Sequence, residues 1–153
     1  MPSGSFSLLG SYMVERIYLE DVVEGNELPM LVKKPDTKRL VMWAGASGDL
    51  NPIHYDKDYA LKRGLSGVVV HGQLVGCYLI QLVTNFIGET SCLVNIKISY
   101  RGMNYPGDIL RCKGIVGAKR EDGRVNLKLW VENGKGEKTL TANASVQLPR
   151  RQE

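Results

Sequence analysis

Between Gln73 and Ile87 the chain carries apolar side chains nearly all the way round a helix: Leu74, Val75, Tyr78, Leu79, Leu82, Val83 and Phe86. A helix without a broad polar face has to be enclosed by other elements. The longest apolar stretch, Gly64 to Val83, is Gly-rich in its first part and contains His71, Gln73 and Gln81. It therefore reads as a buried helix with its lead-in loop, not as a membrane span. Whatever else the chain builds must wrap that helix.

The C-terminal half supplies the wrapping. Val94, Ile96, Ile98 and Tyr100 alternate with Asn95, Lys97 and Ser99; Val125, Leu127, Leu129 and Val131 alternate with Asn126, Lys128 and Trp130. Leu140, Ala142, Ala144, Val146 and Leu148 alternate with Thr141, Asn143, Ser145 and Gln147. Successive side chains leave a strand on opposite faces, so period two predicts half-buried antiparallel strands. Turn signals separate them at Pro106-Gly107-Asp108, Glu121-Asp122-Gly123 and Gly134-Lys135-Gly136. A fourth strand fits Asp108 to Val116 and a fifth Met30 to Lys34; short helices fit Thr37 to Gly45 and Asp58 to Arg63. The expectation is an α+β fold, one long central helix wrapped by a curved antiparallel β-sheet. With 153 residues and no internal repeat, it is read as a single domain over 1–153, with Met1 to Gly10 and Arg150 to Glu153 as frayed ends.

A formal net charge of +4, with no dense Lys/Arg run backed by aromatics, argues against a nucleic-acid partner. Cys77, Cys92 and Cys112 form no CxxC pair and leave an odd count, which suggests neither a zinc site nor a disulfide framework. Cys77, in its apolar run, reads as a buried small hydrophobe. The N-terminus lacks the basic start and apolar core of a signal peptide. A reduced, cytoplasmic protein is expected, in which the sequon Asn143-Ala144-Ser145 carries little meaning.

The chemistry gathers in Ala46 to Asp56, A-S-G-D-L-N-P-I-H-Y-D. Pro52 disfavours helix at Asn51 and removes a backbone donor, while Gly48 is permissive where the preceding helix should stop. In a turn held open by Pro52, Asp49 and His54 can face the same water molecule. Further on, Val69-Val70-His71-Gly72-Gln73 leads into the apolar helix. The first amides of a helix have no intrahelical partners and carry partial positive charge, so the Gly72 amide is a natural donor to an oxyanion. Plainer readings stand beside these. Asp49 can cap the helix end or the turn, Asn51 can form an Asx turn, His54 can be a surface histidine, His71 can orient the lead-in loop, and Asp56 can cap the next short helix. Two histidines make a multi-histidine metal site a poor reading. Gly45-Ala46-Ser47-Gly48-Asp49 has Asp where a GxSxG nucleophile elbow needs Gly, which removes a Ser47 triad.

The string S-G-D-L-N-P-I-H-Y-D, followed by V-V-H-G at Val69 to Gly72, resembles the signature of the MaoC-like (R)-specific enoyl-CoA hydratases and 3-hydroxyacyl dehydratases. Tyr18 to Gly25 resembles that family's N-terminal lead-in, and Tyr105-Pro106-Gly107-Asp108-Ile109-Leu110 its strand-connecting turn. The resemblance implies a hot-dog fold, a homodimer, higher homo-oligomer or heterodimer, and a tunnel for an acyl-CoA. It implies hydration of a trans-2-enoyl thioester to the (R)-3-hydroxyacyl product, with no metal or redox cofactor: CoA, or the pantetheine of an acyl carrier, is part of the substrate. Asp49 and His54 match the catalytic Asp and His, Asn51 the supporting Asn, and Gly72 the Gly whose amide polarises the thioester oxygen. The chain departs from the family pattern at Gly64, near which an aromatic residue often limits the acyl pocket. It departs again at Gly76-Cys77-Tyr78-Leu79-Ile80, where some members place a Ser. Two other functions stay open on these residues: a hot-dog thioesterase, whose water attacks the thioester carbon, and an acyl-binding subunit of a heterodimeric dehydratase. Lys97 and Arg101 are candidate contacts for CoA phosphates.

Overall fold

The alternating runs of the C-terminal half form strands in the computed structural model, which describes residues 16–151. In chain order the elements are β1 (Leu31–Lys33), α1 (Thr37–Ser47), α2 (Lys57–Lys62), α3 (Gly72–Ile87), β2 (Cys92–Tyr100), β3 (Leu110–Lys119), β4 (Arg124–Glu132) and β5 (Lys138–Gln147), with 3-10 turns at Leu19–Asp21 and Pro52–His54. The strands form one antiparallel sheet in the order β1-β3-β4-β5-β2. Positive φ at Gly123 and Gly136 lets the β3–β4 and β4–β5 connections turn tightly. β2 follows α3 directly and returns to the far edge of the sheet, so its outer side is unpaired.

The inner face of the sheet and one side of α3 make the core. Val125, Leu127, Leu129 and Val131 of β4 and Leu140, Ala142, Ala144 and Val146 of β5 are buried. They belong to one cluster with Leu74, Val75, Leu79, Leu82 and Val83. Each large side chain so buried contributes roughly 1.5–3 kcal/mol of hydrophobic driving force. The helix touches all five strands, so the sheet fixes both its axis and the place where it begins.

The structure departs from the alternation at β2. A register shift between Leu93 and Asn95 puts Leu93, Ile96 and Ile98 against the core and leaves Val94 42% exposed, outside the apolar face expected for it. The extra residue of such a bulge changes which face the strand presents on its two sides. The wrapping of α3 is also one-sided: Gln73, Gln81, Thr84 and Asn85 are exposed, and Cys77, expected to be buried, is only half-buried. Cys112 is the buried thiol, and desolvation pushes its pKa up to about 12. Met1 to Gly10 and Gln152–Glu153, read as frayed, lie outside the described residues. Arg151 is exposed but tied: its amide donates to Glu20 Oε2 at 3.2 Å and its guanidinium pairs with Asp21. Among the described residues no helix is long and apolar enough to cross a membrane.

Candidate active site

Gly48 ends α1 in the left-handed region (φ 75°), donating its amide to the Ala44 carbonyl at 3.0 Å. The chain then descends through side-chain turns. The Asp49 amide donates to Ser47 Oγ (3.2 Å), the Asn51 amide to Asp49 Oδ1 (3.4 Å), and the Ile53 amide to Asn51 Oδ1 (3.2 Å). Pro52 opens the 3-10 turn that carries His54. The turn-forming readings of Asp49 and Asn51 are thus realised. Exposed Asn51 supports the bend through its own turn. For Asp49 the turn uses one oxygen only. Its second, Oδ2, faces His54 Nε2 at 3.7 Å.

His54 is 8% exposed, which overturns its reading as a surface histidine. Its Nδ1 lies 2.7 Å from the Val69 carbonyl oxygen. A carbonyl only accepts, so Nδ1 carries a proton, and the ring in its neutral form keeps its lone pair on Nε2. Two acceptors, an imidazole lone pair and a carboxylate oxygen, therefore face each other too far apart for a hydrogen bond. A water donating to both is the species that fits between them.

Val69 also donates its amide to the Ile53 carbonyl at 3.0 Å, and this pairing brings the second motif onto the first. His71 is fully buried, and its ring stacks on that of His54 with centroids 3.7 Å apart and planes 19° from parallel. Its Nε2 lies 3.3 Å from the Asp49 carbonyl oxygen. Burial, and then the neighbouring His54, hold the His71 pKa below the ordinary imidazole value, with Asp49 opposing them. Asp49, His54 and His71 offer ligand atoms within 4.8 Å of one another. Each ring already turns one nitrogen to a backbone carbonyl, His54 Nδ1 to Val69 and His71 Nε2 to Asp49.

Gly72 is the first residue of α3, so its amide has no intrahelical acceptor. A Cβ at this position would come within 2.9 Å of Tyr100 Cε1, and one at Gly76 within 3.0 Å of Ile98 Cδ1 and 3.8 Å of the Tyr100 hydroxyl. Tyr100, read from the sequence only as a strand residue, lies across the start of α3 while remaining 55% exposed. Alternation along β2 would have shown that Tyr100 shares a face with Ile96 and Ile98; its reach over Gly72 needed the register. Lys97 is exposed on the opposite face, beside Asn143, away from α3 and the site. Asp56 caps α2, accepting from the Tyr59 amide at 2.9 Å. Asp56→Ala is expected to lower stability to urea by about 1 kcal/mol while leaving turnover per folded molecule unchanged.

The family model described as "MaoC like domain" matches residues 20–138. The chain belongs to this family. Among curated relatives of this MaoC-like chain, fatty acid synthase beta subunit hexB of Dothistroma septosporum is 31% identical over 79% of the chain, which spans only 6% of that protein's length. The (R)-specific enoyl-CoA hydratase of Aeromonas caviae is 26% identical over 83% of the chain and 96% of its own length. The solved (R)-hydratase from A. caviae involved in PHA biosynthesis superposes with a TM-score of 0.80 at 25% identity, covering 85% of this chain and 99% of that one. The hot-dog architecture of the MaoC-like chain, an antiparallel sheet around a long helix, is thereby established along with the family.

Proposed function

We propose that this MaoC-like chain adds water reversibly across a trans-2-enoyl thioester to give the (R)-3-hydroxyacyl thioester. The carrying observation is the pair of facing acceptors, Asp49 Oδ2 and His54 Nε2, 3.7 Å apart, with the His54 tautomer set by the Val69 carbonyl. Hydration needs a nucleophilic water at the β-carbon, a proton for the α-carbon, and stabilisation of charge on the thioester oxygen. The pair supplies the first two: it binds the water from two sides, takes one proton as oxygen attacks, and returns a proton to the same face of the double bond. Its protons belong to the pair, not to either member. The Gly72 amide supplies the third, a contribution of roughly 3 kcal/mol for one donor aimed at a developing oxyanion. CoA or an acyl-carrier pantetheine serves as the handle, and the reaction draws on no metal or redox cofactor.

The active form in this reading is a homodimer. The outer side of β2 is an unpaired edge, and an edge of nine residues is a ready partner for its own copy. α3 packs on that edge strand and leaves Gln73, Gln81, Thr84 and Asn85 exposed.

A panel of trans-2-enoyl-CoAs from about four to sixteen carbons, followed at the loss of enoyl absorbance, tests the proposal. Hydration to the (R) product is expected, from a species sedimenting at twice 17.0 kDa. Free thiol from saturated acyl-CoA with no loss of enoyl absorbance would assign a thioesterase instead. Activity appearing only with a second, different subunit would assign the heterodimeric form.

A further inference from the structure

His71 makes contacts that loop packing alone does not call for. It occupies the N-cap position of α3 without capping it through its side chain. Its ring lies flat on His54, and its Nε2, facing a carbonyl oxygen, carries the proton that ties the Asp49 backbone. Its Nδ1 is then a lone pair, buried and without a protein partner among the described residues. A buried, unpartnered nitrogen costs stability, so an apolar ring would fill the space better if filling were its whole task. His71 touches both members of the water-holding pair, and the next residue supplies the amide at the helix start.

We propose that His71 is a positioning residue: its ring is the plate that fixes the plane of His54, and its Nε2–H fixes the Asp49 backbone, so one side chain sets the separation of the two acceptors. This rests on the hydratase reading. The arrangement requires a neutral His71, because a charged ring stacked on His54 would oppose the positive charge that His54 gains when it takes a proton. The titratable groups facing His71 are His54 from the 3-10 turn and Asp49 from the loop before it, while β2 lays Tyr100 across the neighbouring Gly72. Burial and the His54 ring favour the neutral form, and Asp49 opposes them more weakly.

Two substitutions separate the contacts. His71→Phe keeps a ring against His54 and loses the bond to Asp49; His71→Gln keeps a donor near the Asp49 carbonyl and loses the stack. With crotonyl-CoA, each folded variant is expected to lose on the order of 10–100-fold in kcat, since small misplacements of reacting groups cost that much. KM should stay within about threefold, because His71 acts through the pair and not through substrate binding. Loss confined to KM, or native kcat in a folded variant, overturns the proposal. The native protein offers a second readout. In nitrogen-15 histidine spectra, with only two histidines to assign, His54 should show the Nδ1–H tautomer and His71 should stay neutral below its ordinary pKa of about 6.5. A His71 that titrates like a free imidazole overturns the proposal too. An inactive native chain marks failure of the hydratase reading; an active native chain with active His71 variants marks failure of this one.

Discussion

His54→Ala, when folded, should hydrate crotonyl-CoA at least about a hundredfold more slowly than the native chain. The ring provides the Nε2 lone pair that faces Asp49 Oδ2, and no other imidazole in the chain can replace it, because His71 directs Nε2 at a backbone carbonyl. Asp49→Asn should lose at least as much while disturbing the fold less. An amide oxygen can still accept from the Asn51 amide, so the bend survives. The other carboxylate oxygen becomes an NH2 group pointing at His54 Nε2. An NH2 group there donates and cannot accept, so the water loses the oxygen that held it on that side. The two losses should not add, because a pair that holds one water fails when either half is gone. The double variant is expected to be within about tenfold of the slower single variant. Stopped assays at the enoyl absorbance, with unfolding curves for each protein, decide this. A folded single variant turning over near the native rate would remove the pair from the mechanism, and the proposed function with it.

The sequence revealed most where a residue's role depends on its near neighbours. Gly48 as a helix stop, Asp56 as an N-cap, Asn51 as a turn residue and the strands around Leu127 and Ala142 each follow from local rules, and the structure has them where those rules put them. Element ends moved by a few residues, as at β3, read from Asp108 and found from Leu110 to Lys119. Three features were not legible. Val94 is apolar and sits in phase with Ile96, so nothing local announces the bulge that turns it outward. The polar residues of α3, Gln73, Gln81, Thr84 and Asn85, were visible, but period alone could not say that they gather on a side the sheet leaves open. The stacking of His54 on His71 depends on the Val69 to Ile53 pairing, a contact between segments far apart in sequence. In the case of Asp49 the turn role leaves room for the proposed one. One oxygen serves the turn, and the turn aims the other.

The Gly72 amide can be deleted almost alone, and its removal should produce the second large loss. Gly72 is the first residue of α3, the position where a helix tolerates proline because the missing N–H has no helical acceptor. His71, with φ −55° and ψ 125°, already has the extended conformation that a residue before proline requires. The obstacle is Tyr100, 2.9 Å from where any Cβ would stand. The comparison therefore belongs in a Tyr100→Ala background, where Gly72→Ala adds a Cβ and keeps the amide, while Gly72→Pro adds a Cβ and removes it. The ratio of their kcat values isolates the N–H. If that hydrogen meets charge developing on the thioester oxygen, Gly72→Pro should be slower than Gly72→Ala by on the order of 10²–10³. The affinity for saturated butyryl-CoA should differ little, because that ground-state ligand develops no such charge. Equal rates in the two folded proteins would mean that the thioester oxygen is stabilised elsewhere. The glycine would then be explained by Tyr100 alone, as the residue small enough to let an aromatic ring lie across the start of the helix.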